Sequence, residues 1–439
     1  MKGRTSFQYK WVIFAVLAVQ YLFGYFHRVC PAVVAPELIK AFDISGIALG
    51  VLASAYFYPY TAMQIPAGIL SDYWGAKKTA IMCALIAGIG SILFGLSHTF
   101  GLAIFSRILV GLGVSAMFVT SLKIFANWFK PTEFARVSAL LIAAGGLGWL
   151  TAATPLAIFS QYFDWRWAFI GLGIITLLLT SLMRFTVSDA PEKSDSGTSA
   201  EKSKVSGSGI AKIGRDLKMV IKEKFFWPLA AWMFFIGAGS FGFVSLWAGP
   251  YLMDAYQLSK PAVGNVLSMF PLAMVFAGPF LGYVSDKVFV SRKKVIVTSS
   301  VVYIMCWLIM LFHHDSLPLY WLYVIFFFLG AMGTGVLPIG YATTKELFTG
   351  DVAGISIGAV NLFPFLGGVV AQPLIGFILD KGGKVGAHYP SSAYYSVILM
   401  YVFIGILNLI AVFLTKETLV KARQKWDCRP EAGTDFHSD

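Results

Sequence analysis

The chain has 439 residues, of which 57% are hydrophobic and only 13% charged, with a formal net charge of +12. Soluble domains carry roughly a quarter charged residues, so this composition excludes a soluble enzyme or binding module and requires a polytopic membrane protein. The basic residues sit in short loops between apolar runs and form no basic domain, which excludes a nucleic-acid partner and reads as membrane orientation.

Lys2, Arg4 and Lys10 precede a long apolar run in the manner of a signal peptide, but the run continues past Phe26 without a small-residue cleavage site. It is read as the first span. About 20 apolar residues cross the hydrocarbon core, and runs of that order fall near 11–36, 46–70, 79–98, 101–125, 135–160, 165–187, 226–253, 262–284, 294–313, 318–344, 353–380 and 391–415. The expected fold is therefore all-α, with twelve transmembrane helices in two six-helix bundles. Residues 1–187 form the first bundle, 188–224 a linker, 225–417 the second bundle and 418–439 a tail. Lys77, Lys78, Lys130, Arg136, Lys287, Arg292, Lys293 and Lys294 all follow even-numbered spans, which predicts cytoplasmic termini. The segment from Ser188 to about Gly209 has almost nothing to bury and is expected to be flexible. After it, Ile210, Ile213, Leu217, Val220 and Ile221 recur at helical spacing among lysines. That pattern suits a short amphipathic helix, either on an anionic leaflet or simply solvated. Cys30, Cys83, Cys306 and Cys428 show no disulfide or metal spacing and are expected to be reduced.

One motif occurs twice. Gly68-Ile-Leu-Ser-Asp72-Tyr-Trp-Gly75-Ala-Lys77-Lys78 follows the second predicted span, and Gly282-Tyr-Val-Ser-Asp286-Lys287 follows the eighth, at 286 − 72 = 214 residues. A second echo runs from Trp128-Phe129 through Pro155-Leu156 to Leu347-Phe348 and Pro373-Leu374, at 373 − 155 = 218. Two matches at nearly one offset imply homologous halves. An Asp at the mouth of a span, beside a turn Gly, can bind a helix terminus or a cation.

Polar groups inside spans are costly and count as functional candidates. Arg28 lies deep in the first span, with Tyr21 and Tyr25 on nearly the same helical face, and its guanidinium can bind a carboxylate in bidentate fashion. The alternative is a structural Arg reaching outward or meeting a helix end. His27 points about 100° away around the helix and is the candidate proton carrier, with a plain hydrogen-bonded His as the alternative. Tyr56, Tyr60 and Gln64 form an i, i+4, i+8 stripe that can line a pathway or pack helices. Asn361 and Gln372 sit in the eleventh span, where an amide needs a partner or a ligand. No span holds an enzyme's carboxylate cluster, His pair or activated nucleophile, and no nucleotide-binding glycine loop occurs.

These residues, with Arg107-x-x-x-Gly111 in the fourth span and Trp165-Arg-Trp-Ala-Phe169 opening the sixth, resemble the major facilitator superfamily over essentially the whole chain. His27-Arg28-Val-Cys-Pro-Ala-Val-Val-Ala-Pro36, together with Lys123-x4-Trp128-Phe129-x-Pro131-x-Glu133, resembles its anion:cation symporter group and related bacterial carriers. The resemblance implies secondary active transport by alternating access in the inner membrane. Gly68, Asp72, Gly75, Lys77, Lys78, Gly282, Asp286, Arg107 and Arg136 would then form the gate and scaffold. The implied partners are a small organic anion and a proton, with an amino acid or other zwitterion as the rival substrate and export as the rival direction. No cofactor or metal is implied, and a monomer is expected. Tyr73 stands where the superfamily turn has a basic residue, and Val114 and Ser115 stand near where anion-symporter relatives place a Glu.

Overall fold

The computed structural model describes residues 2–191, 207–348, 352–384 and 388–419. Most of the predicted flexible linker, and nearly all of the predicted tail with Cys428, lie outside the described residues. The described chain is helical nearly throughout, and eleven of its helices are long and apolar enough to cross a membrane. The remaining predicted span, 46–70, is divided at Met63 into Gly46–Ala62 and Gln64–Tyr73. Pro66 has no N–H to offer Ala62, and Pro59 none for Ala55, so the backbone ladder is thinned on both sides of the break.

Prolines also move other boundaries. The first helix runs Lys2–Val29 and stops short of the predicted 36, because Pro31 opens a separate helix, Pro31–Phe42. Span 7, Phe226–Tyr256, contains a fully buried π-helical stretch, Ala238–Trp247, an insertion that often marks a functional segment. A second π-helical turn, Val284–Val288, falls inside the second copy of the repeated motif and accounts for its stretched spacing. In the first copy Gly75 has φ +91°, which only glycine adopts cheaply. Asp189, just beyond the sixth span, accepts from Lys77 N at 2.7 Å there. The helix Gly207–Lys222 precedes span 7 and packs on span 11 (helix Val352–Lys381), with Leu217 half-buried and Val220 buried.

Two of the helix pairs along which the halves meet are related by the sequence repeat. Gly50 of span 2 lies so close to span 11 that an added Cβ would sit 2.5 Å from Gln372 O. Its repeat mate Gly264 (264 − 50 = 214), in span 8, would put a Cβ 2.7 Å from Thr154 Cα in span 5. Polar contacts follow the same relation. Ser54 Oγ lies 2.9 Å from Gln372 Oε1, and Ser268 (268 − 54 = 214) lies 3.2 Å from Thr154 (372 − 154 = 218). Small residues admit this close backbone approach, and the hydroxyl and amide pairs fix its register.

Among the described residues, charged links between the halves gather at one face of the bundle. Opposite the termini, the Asp380 carboxylate at the end of span 11 accepts from Gly46 N at 2.8 Å and Ile47 N at 2.9 Å, capping span 2 of the other half. Lys384 Nζ reaches Ile44 O at 2.8 Å, and Lys260 pairs with Glu37. These links between the halves lie at the far face, and the serine, threonine and glutamine pairs lie at mid-membrane. On the face carrying the termini, the repeated motif pairs within its own half: Asp72 with Lys123, and Asp286 with Arg292, which also holds Glu346 at 3.0 Å. A Cβ added at Gly68 or Gly282 would meet nothing within 4 Å.

Candidate functional site: a caged arginine between the halves

Arg28 reaches the interface from the last turn of the first helix and is 3% exposed. Its guanidinium carbon lies 4.4 Å from the Tyr25 ring centre, 4.8 Å from Tyr60, 5.1 Å from Phe365 and 5.6 Å from Phe241. Two of these rings belong to each half. Ring faces carry partial negative charge, and each such contact is worth roughly 0.5–2 kcal/mol. Among the described residues no carboxylate pairs with Arg28, its Nε has no hydrogen-bond partner, and the carboxylates sit at span ends or beyond them. A buried cation held by rings and phenol groups, with no carboxylate among the described residues, can take an anion.

Several predicted residues gather around it. Tyr21 and Tyr25 hydroxyls lie 3.5 Å apart, and Tyr56 is stacked on Tyr60 at 5.9 Å. Tyr56 is wholly buried, donates to Gly24 O at 3.1 Å and is within hydrogen-bonding reach of Arg28, so in this state it braces the cage from behind. Asn361 Oδ1 accepts from Tyr341 at 2.6 Å, and Tyr341 is close enough to Tyr25, Tyr60 and Arg28 to interact electrostatically. Tyr341, Phe241 and Phe365 are members of the cage that sequence reasoning missed. The only signal for Tyr341 was a hydroxyl inside an apolar span. The two phenylalanines carry none in a chain with 38 of them.

Other predicted residues stand apart. Gln64 turns back onto Tyr60 O at 3.2 Å. Gln372 is fully buried and its amide is engaged by Phe241 O at 2.9 Å, Ser245 and Ser54, so here it fastens spans 2, 7 and 11. His27 points away from Arg28 into the first bundle, 6.2 Å from the Phe169 ring, with neither ring nitrogen partnered. Arg107 explains that neighbourhood. Pro31 has no N–H to give His27 O, and Arg107 Nη1 supplies the missing donor at 2.8 Å while lying over the Tyr56 ring. It tethers the break in the first span. Arg136 is exposed at the termini face.

Comparisons with known proteins agree with this architecture. A family model described as Major Facilitator Superfamily matches residues 17–259 and 233–433. The chain is 25% identical over 401 residues to a probable sulfoacetate transporter, SauU, of Cupriavidus necator, covering 88% of this chain and 90% of that one. It is 25% identical over 374 residues to a hexuronate transporter of Bacillus subtilis, covering 82% and 86%. With a probable galactarate/D-glucarate transporter, GudP, of Escherichia coli it shares 23% identity, covering 99% and 98%. Its fold matches the inward-facing, unoccupied structure of a bacterial homologue of the human lysosomal transporter Spinster (TM-score 0.71, 17% identity, 97% and 99% covered). It also matches a D-xylose-proton symporter (TM-score 0.72, 17% identity, 93% and 99% covered). With the family model matched across both halves, and the halves paired through their repeated residues, the chain belongs to the major facilitator superfamily of multi-pass membrane transporters.

Proposed function

We propose that the protein is a secondary active transporter that carries a small organic anion inward across the cytoplasmic membrane, bound at Arg28 and accompanied by a proton. The observation that carries this reading is the Arg28 cage: a buried guanidinium shared by rings of both halves, with no carboxylate partner among the described residues. An anion held there touches both halves at once and can therefore bias their rocking, as midplane binding between repeats requires. Curated relatives named as transporters of sulfoacetate, hexuronate and galactarate or glucarate support an anionic cargo. An amino acid would need a carboxylate for its ammonium, and the described spans offer none beside Arg28. The basic loops favour a cytoplasmic termini face. Against an inside-negative potential each inward-moving negative charge costs about 2.3 kcal/mol per 100 mV, and a co-transported proton cancels that cost.

The test is a thermal-shift screen of the purified protein against carboxylates, sulfonates, amino acids and sugars, repeated with Arg28→Ala. At least one anion should raise the melting temperature of the wild type and not of the variant. Stabilisation by neutral or cationic compounds alone would overturn the reading.

A further inference from the structure

The anion reading leaves the kind of anion open. Resting on that reading, we infer that the cargo is a small monoanion with a flat or apolar body, not a polyhydroxylated acid or a dianion. The walls around Arg28 are four aromatic rings, with Phe241 and Phe365 contributing no polar atom from the second half. Hydrogen-bonding capacity beside them is small. Gln372 is saturated by Phe241 O, Ser245 and Ser54, and the Asn361 oxygen is taken by Tyr341. What remains is the guanidinium, a few phenol hydroxyls and the amide nitrogen of Asn361, fewer groups than a polyhydroxylated acid would need.

A hexuronate brings four hydroxyls and an aldarate four hydroxyls with a second carboxylate. Each group desolvated without a partner opposes binding. A second carboxylate also lacks a cation. Arg107, the other buried guanidinium, is turned onto His27 O behind the Tyr56 ring. A benzoate-like or short aliphatic acid meets neither obstacle: its carboxylate pairs with Arg28 and its body lies against rings. The cargo so inferred differs from the sulfoacetate, hexuronate and galactarate or glucarate for which relatives are named.

The experiment measures binding of benzoate, butyrate, benzenesulfonate, glucuronate, galactarate and xylose to the full-length purified protein by calorimetry. Wild type is compared with Arg28→Ala, Arg28→Lys and Phe365→Ser. Benzoate or butyrate should bind at least about 10-fold more tightly than glucuronate, the order of discrimination an apolar pocket achieves against added hydroxyls. Arg28→Ala should abolish that binding, Arg28→Lys should retain a weakened form of it, and Phe365→Ser should narrow the gap to glucuronate. Tighter, Arg28-dependent binding of glucuronate or galactarate would overturn the monoanion class and leave the anion reading standing. Binding of xylose alone, or of no member of the panel at millimolar concentration, would overturn both.

Discussion

Arg28 and Arg107 are both buried in the first bundle, and their surroundings separate their roles. Arg107 has a backbone carbonyl to serve, because Pro31 cannot donate to His27 O, whereas Arg28 has rings and the phenol of Tyr56. Removing Arg107 should therefore cost stability and not affinity. Arg107→Ala leaves the buried His27 carbonyl with only the weak Cys30 thiol donor at 3.5 Å, a loss of about 1–3 kcal/mol, and should lower the melting temperature while the surviving protein keeps its substrate affinity. Pro31→Ala in that background restores an N–H at the same carbonyl, so the double variant should recover part of the loss; additive losses would contradict the tether. His27→Gln should leave the pH profile of uptake unchanged, since the ring lies against Phe169 and away from Arg28. A flattened profile would assign the coupling proton to His27 after all. The burial of Arg28 was legible in the sequence because a charge inside an apolar run is rare and must be held within the bundle. The direction in which His27 points was not, because helical spacing gives an angle between neighbours and no absolute facing.

At the scale of elements, the far face is held by a carboxylate on a helix end. Asp380 caps the two leading N–H groups of Gly46–Ala62 from the opposite half, and Tyr389 donates to the same carboxylate at 2.8 Å. Loss of such a cap costs about 1 kcal/mol per site, enough to shift a gate equilibrium roughly five-fold or more. Asp380→Ala should accordingly speed labelling of a cysteine at Leu49, buried in this state, by an impermeant maleimide added from the far face. An unchanged rate would remove the latch from the gate. Asp72→Asn should act on the other gate. Its carboxylate pairs with Lys123 within one half here; on the proposed alternating-access reading it would meet a helix terminus of the second bundle in the opposite state. Turnover should fall by an order of magnitude or more while the dissociation constant stays within about three-fold; parallel large losses in both would contradict a gating role. The repeated turns were readable from their 214-residue offset. Asp380 was not, since an acid at a span end looks like any other loop acid until the facing helix start is in place.

Over the whole molecule, two bundles share one internal symmetry, and the contacts that join the halves at mid-membrane obey it. The Ser54 and Gln372 pair and the Ser268 and Thr154 pair occupy equivalent places, so rocking can exchange which face is sealed without remaking each half. Length, hydropathy and the two repeat offsets were enough to expect this architecture. They could not show how Pro31 and Pro66 divide the first two helices, because a proline in an apolar run is compatible with a kink or a break and only packing decides. Nor could they show that rings from spans 7 and 11 complete a cage begun by spans 1 and 2, since that needs the two halves in register. The central claim is that this shared, caged guanidinium holds the transported anion. Its most direct test is accumulation of labelled benzenesulfonate, which stays ionised and does not cross a bilayer unaided as benzoic acid does, by proteoliposomes under an imposed inward proton gradient, comparing wild type with Arg28→Ala. The account predicts gradient-driven accumulation by the wild type and a fall of about 100-fold in the variant, the equivalent of losing roughly 3 kcal/mol of charge-assisted hydrogen bonding. Equal accumulation by both proteins would contradict it.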